Sequence, residues 1–171
     1  KSKEKDSFVY SWNMAENLKS LGKGFVFQNK TNNDNVENFK FIPEEKKNKF
    51  LPFLPIWNKL TLKTANWIFY YLNSSSNHFQ KDDFTSVIFP FYGKEAYFKF
   101  FGKKGFYESQ LLISENTIED FFDEFKFIYK KFNPTISLFS VKNMRGTQEF
   151  LRFEDNKICV TFDFINNKKN I

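Results

Sequence analysis

Alternation of side-chain character marks three stretches of the chain as strands: Phe106–Ser114 (FYESQLLIS), Ile136–Met144 (ISLFSVKNM) and Ile158–Phe164 (ICVTFDF). Successive strand residues point to opposite faces of a sheet. Glu108 and Gln110 therefore share one face, against Tyr107, Ser109, Leu111 and Ile113. Leu138, Ser140, Lys142 and Met144 oppose Phe139 and Val141, and Cys159, Thr161 and Asp163 oppose Ile158, Val160, Phe162 and Phe164. One face of the resulting sheet is apolar. The other carries an acid, an amide, a lysine and small polar groups, and is either solvated or the wall of a pocket.

A different period runs between the first two of these stretches. Ile118, Phe121, Phe122, Phe125, Ile128, Tyr129 and Phe132 recur at three- and four-residue steps, the mark of an amphipathic helix. Asn116 with Glu119 forms a candidate cap, Lys130 and Lys131 suit the helix C-terminus, and Pro134 closes it. This greasy stripe is expected to cover the Val160/Phe162 face. Trp57–Leu72 predicts another helix, with Leu60, Leu62, Ala65, Trp67, Ile68, Tyr71 and Leu72 as a broad apolar side. The run from Asn73 to Asn77 stops it. Phe8–Trp12, Gly24–Gln28 and Phe84–Phe91 are further candidate strands, with Pro90 at an edge or end. Asn29–Lys49 reads as a long polar loop, and Phe50–Pro55, with two prolines, is not helix interior. The fold class predicted is α+β, a mostly antiparallel sheet with helices packed on one face.

Composition supports a packed domain. The 171 residues include 26 Phe and are 21% aromatic, too much apolar surface to leave in water despite a mean hydropathy of −0.54. The net charge of +6 would favour phosphates, anionic lipid or nucleic acid. The basic residues are scattered, however, without the aromatic–glycine interleaving of an RNA-binding strand, so nucleic acid is not the expected partner. One cysteine and one histidine exclude an internal disulfide and argue against a Cys/His metal cluster. No apolar run approaches a membrane span, and no phosphate-binding glycine motif occurs.

The chemistry candidates each have a plain structural alternative. Lys142, central in a strand, suits an anionic ligand or a redox cofactor, or is a solvated lysine on an open sheet face. Glu108 and Gln110 suit hydrogen bonding to a polyol, or form a wet face. Cys159 is a nucleophile or a small buried hydrophobe. Asp163 would pair with Lys142 across the sheet. Tyr10 and Trp12 stack on a ligand ring or pack internally, and His78 lies in a polar loop.

These segments, in order, resemble a known group. Tyr10-Ser-Trp12 with Lys23-Gly24, the run Lys63–Tyr71 (KTANWIFYY), Phe89-Pro-Phe-Tyr92 through Tyr97 to Phe101-Gly102, Gly105–Ser114, Ser137–Met144 and Val160–Phe164 together cover nearly the whole chain. They resemble the substrate domain of decaprenylphosphoryl-β-D-ribose 2-oxidase and its FAD-linked relatives in the vanillyl-alcohol oxidase superfamily.

The resemblance implies an FAD-linked oxidoreductase acting on CH–OH, with a substrate domain containing ferredoxin-like elements. Residues 1–171 would be that domain. The FAD-binding domain is expected before Lys1, and a short segment with a further lysine beyond Ile171, so the fragment alone is expected to be inactive. The resemblance carries catalytic roles to Lys142 and Gln110. It carries substrate contacts to Glu108, Leu138, Met144, Cys159, Thr161, Trp12, Tyr10 and Ile88. Glu108, Ile88, Met144, Tyr10, Cys159 and Thr161 depart from the family's residues at their positions, whereas Gln110, Lys142, Leu138 and Trp12 match in kind.

The implied substrate is a sugar or polyol, lipid-linked through a polyprenyl phosphate. A partner reductase and a cytoplasmic location, peripheral at the inner membrane of a bacterial cell, go with it. Three rivals remain: a non-catalytic αβ binding domain, an aldonolactone or aromatic alcohol oxidase of the same superfamily, and a basic domain docking nucleic acid or anionic lipid.

Overall fold

The computed structural model describes residues 7–30, 52–74, 96–144 and 157–167. Among the described residues, five strands form one antiparallel sheet: β1 (Ser7–Asn13), β2 (Gly24–Lys30), β3 (Phe106–Ser114), β4 (Ile136–Met144) and β5 (Lys157–Ile165), in the spatial order β2-β1-β4-β5-β3. Three helices accompany them among the described residues: α1 (Lys59–Asn73), the single turn α2 (Ala96–Lys99) and α3 (Ile118–Phe132). The class is α+β. The three alternating stretches are strands β3, β4 and β5, and Phe8–Trp12 with Gly24–Gln28 lie in the antiparallel pair β1–β2. The candidate strand Phe84–Phe91 and most of the loop from Asn29 to Lys49 lie outside the described residues, as do Ile88 and His78.

β5 sits between β3 and β4 and runs antiparallel to both. The two outer strands are therefore parallel to each other, and α3 connects them, which makes a split βαβ unit. The hairpin β1–β2 extends the sheet from the free side of β4.

Helix α3 forms where the periodic stripe runs. Phe125 and Tyr129 are its buried residues, and Ile118, Phe121 and Phe122 pack against the same cluster. That cluster contains Ile136, Phe139, Val160 and Phe162, so most of the helix stripe and the apolar sheet face shield each other from water, whereas Ile128 and Phe132 of the predicted stripe are exposed. Phe162 stacks on Phe125 with ring centroids 4.5 Å apart and on Phe139 at 4.9 Å.

The start of α3 differs from expectation. A 3-10 turn at Glu115–Thr117 leads in, and the N-cap residue Thr117 makes no capping bond with its side chain. Asn116 is thus inside the turn and not the cap. The C-terminus ends at Asn133 in the left-handed region, whose N–H bonds the Tyr129 carbonyl, with Pro134 next.

The expectation that helices pack on one face is corrected. Phe69 of α1 lies 4.5 Å from Trp12 and 5.8 Å from Phe25, centroid to centroid. Trp12 belongs to the polar-face parity, opposite Ser140 of β4. A second cluster joins Leu62 of α1 to Phe101, Ile165, Trp57, Tyr97 and Phe106. Ile165 and Phe106 share the parity of Asp163 and Glu108. Both faces of the sheet therefore carry helix, α3 on one and α1 with α2 on the other.

Candidate functional site: the polar sheet face

Strand register assembles the candidate residues in three rows. One runs Phe27, Tyr10, Lys142, Cys159, Leu112 across β2, β1, β4, β5 and β3. The next runs Phe25, Trp12, Ser140, Thr161, Gln110, and the third Leu138, Asp163, Glu108. Eight of the ten sequence-predicted site residues thus stand in these three rows. Met144 belongs to the same parity at the end of β4, opposite Lys157.

Burial divides this face. Ser140, Cys159, Thr161 and Asp163, at its centre, are buried, as is Leu138. Lys142 is half-buried, and Glu108 and Gln110, on the edge strand β3, are exposed. The Gln110 amide donates to Glu108 Oε1 at 2.7 Å. Cys159 is a free buried thiol, 3.8 Å from the Thr161 hydroxyl, and so takes the plain role of a small core residue. The aromatic candidates are packed internally as well. Tyr10 stacks on Phe27 at 4.7 Å, and Trp12 lies between Phe25 and Phe69.

Asp163 does not pair with Lys142. Its register partners are Glu108 and Leu138, whereas Lys142 stands opposite Cys159 and Tyr10. The Asp163 carboxylate instead accepts a hydrogen bond from the Tyr97 hydroxyl at 3.1 Å, through Oδ2. The same hydroxyl lies 3.0 Å from Ser137 Oγ, and the Ser137 hydroxyl donates to the Asp163 carbonyl at 3.2 Å. Ser137 reaches this position because a register irregularity between Ile136 and Leu138 displaces it from the regular ladder.

The other carboxylate oxygen, Oδ1, is buried and has no hydrogen-bond partner among the described residues. Burial pushes the Asp163 carboxyl from its ordinary value of 3.8 up to about 7. The Tyr97 hydrogen bond pulls against that rise, the charge of Glu108 adds to it, and Lys142 opposes it. Tyr97 is itself raised, by burial first and then by the negative charge of Asp163. A carboxyl that changes protonation near neutrality beside a buried phenol can hold or release a proton.

Sequence reasoning missed Tyr97 and Ser137, and it gave Asp163 the wrong partner. The parity of β5 did place Asp163 on the polar face. Tyr97 lies in a run of aromatic residues with no periodic signal of its own, and the Ser137 displacement depends on the register between strands. No group of three or more acidic, Cys or His residues suited to a metal ion occurs among the described residues.

Against protein-family models, curated proteins and solved structures, the chain finds no match.

Proposed function

We propose that this chain is the substrate-binding domain of an FAD-linked oxidoreductase that oxidises a hydroxyl of a sugar or polyol carried on a polyprenyl phosphate. One observation carries the reading. Tyr10, Trp12, Glu108, Gln110, Leu138, Lys142, Cys159 and Thr161, the positions singled out by the resemblance, fall together on one face of the sheet, drawn from four strands.

The donor set suits the cofactor. The Lys142 ammonium and the Gln110 amide share the face and would serve electron-rich carbonyl and nitrogen atoms of a flavin ring, or an anionic substrate group. When bound, FAD supplies a hydride acceptor. Lys142 would hold positive charge at the ligand, and the exposed Glu108 carboxylate would accept hydrogen bonds from substrate hydroxyls and fix their orientation. Asp163, beneath them, supplies a carboxyl able to hold a proton near neutral pH. Cys159 and Thr161 would shape the floor without touching the ligand, since both are buried.

A second reading draws on that same burial. In a non-catalytic binding domain the Ser140/Cys159/Thr161 centre would be a structural layer under α1 and α2, with only the Glu108/Gln110 edge free to bind.

Lys142→Ala in a polypeptide that joins this domain to its flavin domain separates the two readings. The oxidase reading expects a shifted flavin spectrum and turnover lowered about 100-fold or more, the usual scale for removing a positioned charge-stabilising group. Unchanged spectrum and turnover would remove Lys142 from the chemistry. A polypeptide that binds no flavin would sink the oxidase reading.

A further inference from the structure

Helix α1 turns Leu62 and Asn66 inward and leaves several of its large apolar side chains facing out. Leu62 and Asn66 are its buried residues, 2% and 7% exposed, with Phe69 and Asn73 continuing the same side one and two turns on. Inside, the Asn66 amide is held by Glu16 Oε2 at 2.6 Å. On the opposite side, at four- and three-residue steps, stand Leu60, Thr64, Trp67, Ile68 and Tyr71. Leu60 is 73% exposed, Trp67 65% and Tyr71 69%, and Ile68 and Leu72 are exposed too. Of the broad apolar side read from the sequence, Leu62 is buried, whereas Leu60, Trp67, Ile68, Tyr71 and Leu72 face out. Phe53, Leu54 and Ile56, shortly before the helix in sequence, are exposed as well.

The charge of the segment is one-sided. Residues 52–74 contain Lys59 and Lys63 and no Asp or Glu. Both lysines lie on one flank of the outward stripe at its N-terminal half and, with Lys19, line an open cleft that also contains Glu16, Asn17 and Leu18. Trp67 and Tyr71 stack outward with centroids 5.9 Å apart. Exposed Trp and Tyr beside Leu and Ile, flanked by lysine and free of acid, are the features of a helix that lies in the plane of an anionic lipid surface. The helix has 15 residues, and no helix among the described residues is long and apolar enough to cross a membrane, so the fitting mode is lying on the surface.

We infer that the outward Leu60/Trp67/Ile68/Tyr71 face of α1 is a docking surface for an anionic bilayer, immersed at the headgroup level with Lys63 beside it. This surface is separate from the polar sheet face and stands whether or not that face serves a flavin.

The test uses the 171-residue chain and sedimentation with phosphatidylcholine vesicles, with and without phosphatidylglycerol. Binding is expected with phosphatidylglycerol and weakens as salt rises. Trp67→Ser with Tyr71→Ser is expected to lower it about tenfold or more, because each lost ring removes a large apolar contact. Both positions are exposed, so the circular dichroism of the double variant should match that of the parent chain.

Quenching of tryptophan fluorescence by lipids with brominated acyl chains is a second measure that needs no altered surface. It is expected in the parent chain and lost in Trp67→Phe, since Trp12 and Trp57 are half-buried against Phe69 and Tyr97. Four results would overturn the inference: no binding, equal binding to neutral vesicles, binding indifferent to the double substitution, or a dimer in solution that Trp67→Ser dissociates. The last would assign the face to a second copy of the chain.

Discussion

The Tyr97 hydroxyl reaches across from α2 to donate to Asp163 Oδ2 on β5 at 3.1 Å, and among the described residues this is the single hydrogen bond to a carboxylate whose other oxygen is buried without one. A buried acid held so sparingly is cheaper to keep protonated than ionised. The groups facing it are Tyr97 and Ser137, the Glu108 carboxylate on β3 and the Lys142 ammonium on β4.

A pH signature follows from that geometry. With the folded value near 7 and the ordinary value at 3.8, the folded chain binds one more proton than the unfolded chain between those limits. Stability therefore falls as pH rises through this window. Below about pH 4 both states are protonated at this site and burial of the acid costs no ionisation energy. Above about pH 7 the whole cost is present, on the order of 4 kcal/mol at most, at about 1.4 kcal/mol for each pH unit between the two values. Asp163→Asn keeps the shape and removes the titration. Urea unfolding across pH 4 to 8 should show the variant gaining on the parent chain as pH rises. A pH-independent difference would mean that Asp163 is ionised at little cost.

The apolar side of the sheet turns on Phe162. Its ring lies almost parallel to both Phe125 (18°) and Phe139 (21°), forming a three-ring stack between α3, β4 and β5. Phe162→Ala would remove the middle ring and leave a cavity that three separate elements would have to collapse into. The expected loss is about 3–5 kcal/mol. Phe127→Ala, on the exposed side of the same helix, should cost less than about 1 kcal/mol. Urea midpoints of the two variants test the pair. Similar losses would mean that the stack is not the centre of the core.

The two helices show what sequence alone can convey. For α3, the three- and four-residue spacing of Phe121, Phe122, Phe125 and Tyr129 and the alternation of Val160 and Phe162 gave the helix, the strand and the face on which they meet. Each pattern is local, and each is a statement about one buried surface. For α1 the same reasoning gave the helix and a broad apolar side, of which Leu62 is buried while Leu60, Trp67, Ile68, Tyr71 and Leu72 are exposed. Which side faces the sheet depends on partners distant in sequence: Glu16 for Asn66, Trp12 and Phe25 for Phe69, and Phe101 and Ile165 for Leu62. The candidate site divides in the same manner. The common face of Lys142, Gln110 and Thr161 was legible from period-two parity. Its covering arises from contacts distant in sequence, and the Tyr97–Asp163 bond joins residues 66 apart, where no periodicity operates.

Gly24 supplies the sharpest local test. It pairs with Asn13 at the closed end of the β1–β2 hairpin, next to the backbone bond from Met14 N–H to the Lys23 carbonyl at 2.7 Å. A Cβ at Gly24 would stand 1.9 Å from the Trp12 carbonyl oxygen and 2.8 Å from the Asn13 Cα. Those are backbone atoms, so no side-chain rotation relieves the clash, and the hairpin end must open. Gly22, two residues earlier, has a different requirement: φ is +80° and nothing lies within 4 Å of an added Cβ. Asn adopts that left-handed conformation more readily than Ala, so Gly22→Asn should cost less than Gly22→Ala. Gly24→Ala should cost about 1–3 kcal/mol, the scale of forcing an added methyl into filled space. It should also disturb the near-ultraviolet circular dichroism of Trp12, whose ring stacks on Phe25 at 6.2 Å, immediately beside the clash. An Ala at position 24 with unchanged urea midpoint and unchanged Trp12 signal would show that the hairpin closes with more space than this register allows.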